Sequence, residues 1–263
     1  MTGADRTDQP GGTAMGADAP SGAPSLESLW ESRVVLQPKS PRALFSILGT
    51  DMRDSDAQFA HRMVWTLFPD APRDRRDGLF LFHVERTRPF TAIIRSRRPP
   101  EDGLGGVWHI TTRPFAPVLV PAQRLGFLLR AVASRWERRP AERRGRRQDV
   151  ITAAWHALPE AERHPERLEA VAEAACQDWL ARQGERCGFA VAPAEVTVRD
   201  YDRTRLRPDR RGRAAAGDIR FGAVTFEGRL TVTDPDAFRR MLADGLGHGR
   251  AYGNGLMQIA PAG

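Results

Sequence analysis

Apolar residues in "SDAQFAHRMVWTLFP" (55–69) recur every three to four positions, so that Ala60, Met63, Val64, Leu67 and Phe68 share one face of a helix. Ser55 and Gln58 have the spacing of a capping box, and Pro69 ends the run. Around this helix the pattern changes to short apolar runs. "RVVLQP" (33–38), "GLFLFHVER" (78–86), "FTAIIRSR" (90–97) and "VWHITTRPF" (107–115) predict strands, with "TRP" as the turn between the second and third. The predicted order is β-α-β-β with a further strand after it.

A second block repeats this mixture. "QRLGFLLRAVAS" (123–134) predicts a strand, an arginine-rich stretch follows, and residues 148–183 read as helical. "FAVAPAEVTVRDY" returns to strand, and "IRFGAVTFEGRLTVTD" (219–234) alternates as one arm of a hairpin. In "DPDAFRRMLADG", Asp234 is placed to cap a helix whose first residue is Pro235, and "GLMQIAP" closes the chain as a strand. Two such blocks predict an α+β fold of two tandem ferredoxin-like units of β-α-β-β-α-β type. The expected boundaries are a disordered tail over 1–26, a first unit over 27–119 and a second over 120–263.

A chain of 263 residues, 41% hydrophobic and 28% charged, has room for two cores. The tail lacks the apolar centre of a signal peptide, and no run is long enough to span a membrane, so a cytoplasmic protein without a membrane partner is expected. Cys176 and Cys187 form no CxxC pair and have no nearby histidine cluster, and read as reduced thiols rather than a zinc site or a disulfide.

Charge changes the picture more. The formal net charge is +7, and Lys39 is the only lysine. "RWERRPAERRGRR" (135–147) holds seven arginines and two glutamates, and "RDYDRTRLRPDRRGR" (199–213) seven arginines and three aspartates, +5 and +4 respectively. The excess positive charge is therefore confined to two segments, as a nucleic-acid backbone would require, although solvated loops have the same composition.

"GLGHGRAYGNG" (245–255) has five glycines in eleven positions. It is neither a dinucleotide fingerprint, since the helix-loop-strand order is reversed, nor a Walker A loop, since no GK[ST] follows. Two readings remain: a cradle of backbone N–H groups for an anion, with Arg250 adding charge, or a tight turn between a closely packed helix and strand. His61 lies one position off its helix's apolar stripe, beside Trp65, where an imidazole is both oriented and reachable. His83 fits a core or sheet-face position, and a structural role remains open for both. No serine or cysteine elbow, HExxH, paired-carboxylate motif or EF-hand is present. RNA, which carries its own 2′-hydroxyl nucleophile, suits a protein with a histidine, arginines and oriented backbone.

Three stretches together resemble CasE, the CRISPR RNA-processing endoribonuclease family of type I-E systems: "AHRMVWTLFPDAPRDRRDGLFLFHVER", "RLGFLLRA", and "VTFEGRLTVTDPDAF" followed by "GLGHGRAYGNGLMQIAP". The resemblance runs from about residue 33 to the end. It implies a subunit of the Cascade complex that binds the stem-loop of CRISPR repeat RNA, as pre-crRNA and crRNA, and cuts at the stem's 3′ base with no metal or cofactor. It implies catalysis by His61 and RNA contacts by Arg62, Arg130, Arg146, Arg207, Arg210, Arg211 and Arg213, with Gly247, Gly249, Arg250 and Gly253 in the terminal loop. Gln58 stands where some relatives carry an assisting tyrosine. A non-cleaving RNA-binding subunit of the same fold is the alternative, and a nucleotide-binding enzyme is a third reading.

Overall fold

Strand β1 (Trp30–Leu36) pairs on one side with β3 (Phe90–Ser96) and on the other with β4 (Trp108–Pro114), while β2 (Phe80–Thr87) completes the sheet beyond β3. These elements come from a computed structural model that describes residues 29–37, 56–71, 78–137, 146–206 and 219–262. The order β2-β3-β1-β4 is antiparallel throughout and is that of a ferredoxin-like unit. Alternation divides the sheet into two faces. Val34, Phe82, Ala92 and Ile94 are buried beneath helix α1 (Asp56–Trp65), which contributes Ala60, Met63 and Val64, with Leu67 and Phe68 just after it. All five predicted core positions of the helix are buried. The proposed cap Ser55 lies outside the described residues. β1 begins three residues before the apolar run because its polar residues find partners: Glu31 pairs with Arg95 and Arg113, and Ser32 Oγ lies 2.9 Å from Thr112 Oγ1.

The expected second crossover helix of this unit is not formed. Residues 97–107 instead make turns, organised by the Asp102 carboxylate, which accepts from the backbone N–H groups of Leu104, Gly106, Val107 and Trp108. Burial works against this carboxylate's charge, but the four N–H donors outweigh it and hold its pKa below the usual range.

In the second unit β5 (Arg124–Ala131) lies between β11 (Met257–Pro261) and β10 (Ile219–Val232), with β8 (Phe189–Ala190) and β9 (Val196–Leu206) both pairing β10. The order is again ferredoxin-like. Leu125, Phe127, Leu129, Phe226 and Leu230 point to one face, covered by α3 (Leu168–Cys187) and α4 (Pro235–Asp244) through Trp179, Leu180, Phe238 and Leu242. The helical stretch expected over 148–183 is divided. α2 (Val150–Ala157) ends before Pro159, and short 3-10 turns at Glu160–Glu162 and Pro165–Arg167 precede α3. Asp234 caps α4 as predicted, accepting from Asp236 and Ala237 N–H at 3.0 Å each. The arginine-rich stretch holds a ribbon not foreseen from its composition: β6 (Ser134–Glu137) pairs antiparallel with β7 (Arg146–Asp149). Among the described residues no helix is long and apolar enough to cross a membrane.

Arg95 joins the units. It is 1% exposed, lies on the outer face of the first sheet, and donates through Nη2 to Glu31 at 2.7 Å. Its Nη1 donates to two carbonyls of the second unit, Leu242 in α4 at 3.1 Å and Met257 in β11 at 3.0 Å. Phe115, in the segment joining the units, lies under the guanidinium at 3.6 Å. Burial pushes the guanidinium pKa down and Glu31 opposes this, but an arginine starts high enough to stay charged. Burial likewise raises the Glu31 carboxyl, and hydrogen bonds from Arg113 and Arg95 more than reverse it.

Replacing Arg95 with alanine leaves a half-buried carboxylate short of one partner and two carbonyls unpaired. Urea unfolding at neutral pH is expected to show a loss of about 3–5 kcal/mol, the usual effect of breaking a buried pair. Because the Glu31 pKa is depressed on folding, its contribution is present above the ordinary glutamate value near ~4.3 and is lost as pH falls through the folded value. The difference between wild type and Arg95→Ala therefore narrows in acid, and an unchanged urea midpoint at pH 7 would refute the junction's importance.

Candidate active site

His61 sits in the middle of α1, one residue after buried Ala60, and is half-buried. Its Nδ1 lies 2.7 Å from the carbonyl oxygen of Ala251, 190 residues away and in the other unit. A carbonyl can only accept, so Nδ1 carries the hydrogen and the lone pair of the neutral ring is on Nε2. Trp65 meets the ring edge-on at 6.2 Å between centroids, and Tyr252 lies tilted at 5.5 Å. The imidazole is therefore oriented by one hydrogen bond and flanked by two aromatic rings.

The glycine-rich segment makes this contact. Arg250–Tyr252 form a single 3-10 turn between Gly249 and Gly253, both left-handed, with φ of 69° and 81°. Gly253 is buried against the first unit: a Cβ there would lie 3.1 Å from the ring of Phe82. On the other side Gly255 donates to the Arg130 carbonyl of β5 at 2.7 Å, and Leu246 N–H closes the loop onto Gly255 O at 2.9 Å. Buried Asn254 reaches across the turn from its Nδ2 to the carbonyls of Gly249 at 3.2 Å and Tyr252 at 3.4 Å. The close-packing reading of these glycines thus has a direct structural expression. The Gly253 N–H turns to the Arg250 carbonyl inside the loop, while Gly247 and Gly249 are half-buried with positive φ.

The predicted arginines are distributed unevenly about His61. Arg62 follows it on α1. Arg130, on the open face of β5, is paired with Asp202 at 2.7 Å. Arg250 folds back to the Asp244 carbonyl at the end of α4, where a cation suits the helix dipole. Arg146 belongs to β7, opposite Glu137. Arg207, Arg210, Arg211 and Arg213 lie outside the described residues, and β9 and β10 pair as far as Leu206 and Ile219 on either side of them. His83 occupies the outer sheet face, and its pKa is lowered by burial and then by the charge of Arg130. Among the described residues no three His, Cys, Asp or Glu side chains gather as metal ligands would. Sequence reasoning missed Asn254 and the Ala251 carbonyl. The first was visible only as a polar residue between glycines, and the second is main chain, which residue type cannot signal.

The model of a family described as "CRISPR associated protein" matches residues 29–261. The CRISPR-associated endoribonuclease Cse3 of Thermus thermophilus is 29% identical over 246 residues, 89% of this chain and 100% of that protein. Among solved structures, Thermus thermophilus Cse3 bound to an RNA representing a pre-cleavage complex is similar with a TM-score of 0.60 at 27% identity, over 89% of this chain and 100% of that chain. A chain of a CRISPR RNA-guided surveillance complex shares the fold, with a TM-score of 0.58 at 20% identity over 89% of this chain and 100% of that one.

Gly255, with φ of 87°, is the residue on which the loop geometry turns. A Cβ there would meet the Leu246 carbonyl oxygen at 2.7 Å. Gly255→Ala is expected to cost more than the ~1–2 kcal/mol of left-handed strain alone and to alter the His61 ring ¹⁵N spectrum. Gly78→Ala is the control: its φ is 76°, but nothing lies within 4 Å of the added Cβ. It should show only the strain and leave the His61 spectrum as it is, and an unaltered ring spectrum in Gly255→Ala would show that the loop does not position His61.

Proposed function

The chain belongs to the CRISPR associated protein family, and from that premise we propose that it is an endoribonuclease acting in the cytoplasm on CRISPR repeat RNA. It binds the stem-loop of the repeat, cuts at the 3′ base of the stem, and keeps the product as a subunit of Cascade. The relative named as an endoribonuclease is matched over its whole length, and the solved Cse3 similar to this chain holds RNA. The fold shared with a chain of a surveillance complex is consistent with assembly into one.

The observation that carries the reading is the His61–Ala251 hydrogen bond. With Nδ1–H engaged, Nε2 of neutral His61 is the nitrogen that takes a proton. It removes the proton of the ribose 2′-hydroxyl, the 2′-oxygen attacks the adjacent phosphorus, and the bond to the 5′-oxygen breaks. The products are a 2′,3′-cyclic phosphate and a 5′-hydroxyl, whose proton comes from the imidazolium or from water. The nucleophile belongs to the RNA, so the step requires no metal. Acid-base help of this kind is worth roughly 10²–10⁴-fold. Alignment of the 2′-oxygen, phosphorus and 5′-oxygen, and guanidinium charge near the phosphorane, supply the rest. Arg62 on the same helix and the arginine-rich segments are the cations proposed for the RNA backbone. An A-form stem is recognised chiefly through shape and phosphates. Gln58 favours one rival, an RNA-binding subunit that does not cut.

Incubating purified protein with a repeat RNA in EDTA separates the two. Wild type is expected to leave a cyclic phosphate, and His61→Ala to lose about 10²–10⁴-fold in rate with binding retained. Tight binding without cleavage by wild type would select the non-cleaving subunit, and absence of binding would overturn both.

A further inference from the structure

Beyond the loop that holds His61 lies a cleft of about 730 Å³, between α3, the β6–β7 ribbon and the residues Gly247 and His248. Trp136 stands at its edge, 67% exposed, although burying an indole is among the larger gains open to any side chain. Arg147 lies over that indole, its guanidinium carbon 5.3 Å from the ring centroid. The floor is rigid. Trp179 stacks on Phe226 at 5.7 Å and donates from Nε1 to the Ser134 carbonyl at 3.1 Å. Ser134 Oγ, also part of the lining, is buried without a hydrogen-bond partner among the described residues.

Four arginines line the cleft against two acidic residues, Asp178 and Glu185, a formal excess of +2. Arg182 is engaged by Asp178 at 2.9 Å and Arg186 by Gln183 at 2.6 Å. Arg147, exposed on the ribbon, is directly opposite Trp136 and on the same face, whereas Arg135, its neighbour in the strand, belongs to the other face. An exposed indole with guanidinium groups around it and an apolar floor is the chemistry that takes a base by stacking and a phosphate by charge.

We propose that this cleft holds one unpaired nucleotide of the bound RNA beside the scissile phosphate, its base on Trp136 and its phosphate at Arg147. This rests on the reading of the chain as an RNA endonuclease. Position favours RNA over a free nucleotide: His248 of the cleft is three residues before Ala251, whose carbonyl holds His61, so a strand crossing His61 reaches the cleft along one turn of chain. The pKa of His248 is lowered by burial and by the charges of Arg147 and Arg250, which favours the neutral ring, able to accept from a base edge.

The test compares two RNAs, the repeat stem-loop with a short unpaired extension beyond the scissile phosphate, its attacking 2′-hydroxyl replaced by hydrogen so that it stays whole, and the same stem-loop without the extension. In wild type the extension should raise affinity by about 5- to 150-fold, the worth of one stacked base. Trp136→Ala should reduce that ratio to about one, and Trp136→Phe should keep most of it, with thermal unfolding confirming that both variants fold. A ratio near one in wild type, or one untouched by Trp136→Ala, overturns the cleft assignment even where the stem-loop is bound and cut. Failure of wild type to bind either RNA overturns the endonuclease reading and this inference with it. A nucleoside monophosphate, followed by tryptophan fluorescence, should bind only weakly, and tight binding would assign the cleft to a free nucleotide instead.

Discussion

A single buried guanidinium governs the geometry of the candidate site. Arg95 Nη1 donates to Leu242 and to Met257, which stand just before and just after the glycine-rich loop, so one nitrogen holds both ends of that loop. A buried charge is tolerated where it is paired. Glu31 supplies the pairing from the first unit, the two carbonyls of the second accept from Nη1, and Nε has no partner among the described residues. The span between those carbonyls is thereby fixed against the sheet on which α1 packs. The Ala251 carbonyl reaches His61 because the ends of its loop are not at liberty to move.

The glycines complete what the arginine begins. With both ends held, the loop wraps the edge strand β2, meeting Leu81 on one face of the sheet and Phe82 on the other. A Cβ on Gly245 would come within 2.7 Å of Leu81, and one on Gly253 within 3.1 Å of Phe82. Gly249 and Gly253 supply the left-handed turns that bracket Arg250–Tyr252. Side-chain absence is thus used to bring one main-chain carbonyl to one imidazole across a domain junction.

Elements whose signals are local were legible in the sequence. The α1 stripe, the Asp234 cap and the β10 alternation each appear where periodicity and capping chemistry put them. His61 stood out because it lay off a clear apolar stripe beside an aromatic. What was hidden depends on contacts between distant segments. Arg95 alternates in "FTAIIRSR" like any outward-facing arginine, and only the second unit buries it. The β6–β7 ribbon is masked by its own arginines, which carry no strand periodicity. Where a crossover helix was expected, one carboxylate, Asp102, organises a turn through four backbone bonds.

The charge pattern follows the same division. Across the open sheet faces arginines are matched by acidic partners, as in Arg33 with Glu85, Arg130 with Asp202 and Arg199 with Glu227. Such exposed pairs add little stability but cancel field, and two of them take in Asp202 and Arg199 of the second arginine-rich segment itself. The histidine, by contrast, is oriented by a neutral carbonyl rather than a carboxylate. That partner selects the tautomer without placing a negative charge beside the path proposed for the phosphodiester, which a carboxylate in the same position would repel. A tautomer-selected imidazole and a surplus of arginine confined to two segments of the sequence together suit the proposed substrate, a polyanion that carries its own nucleophile.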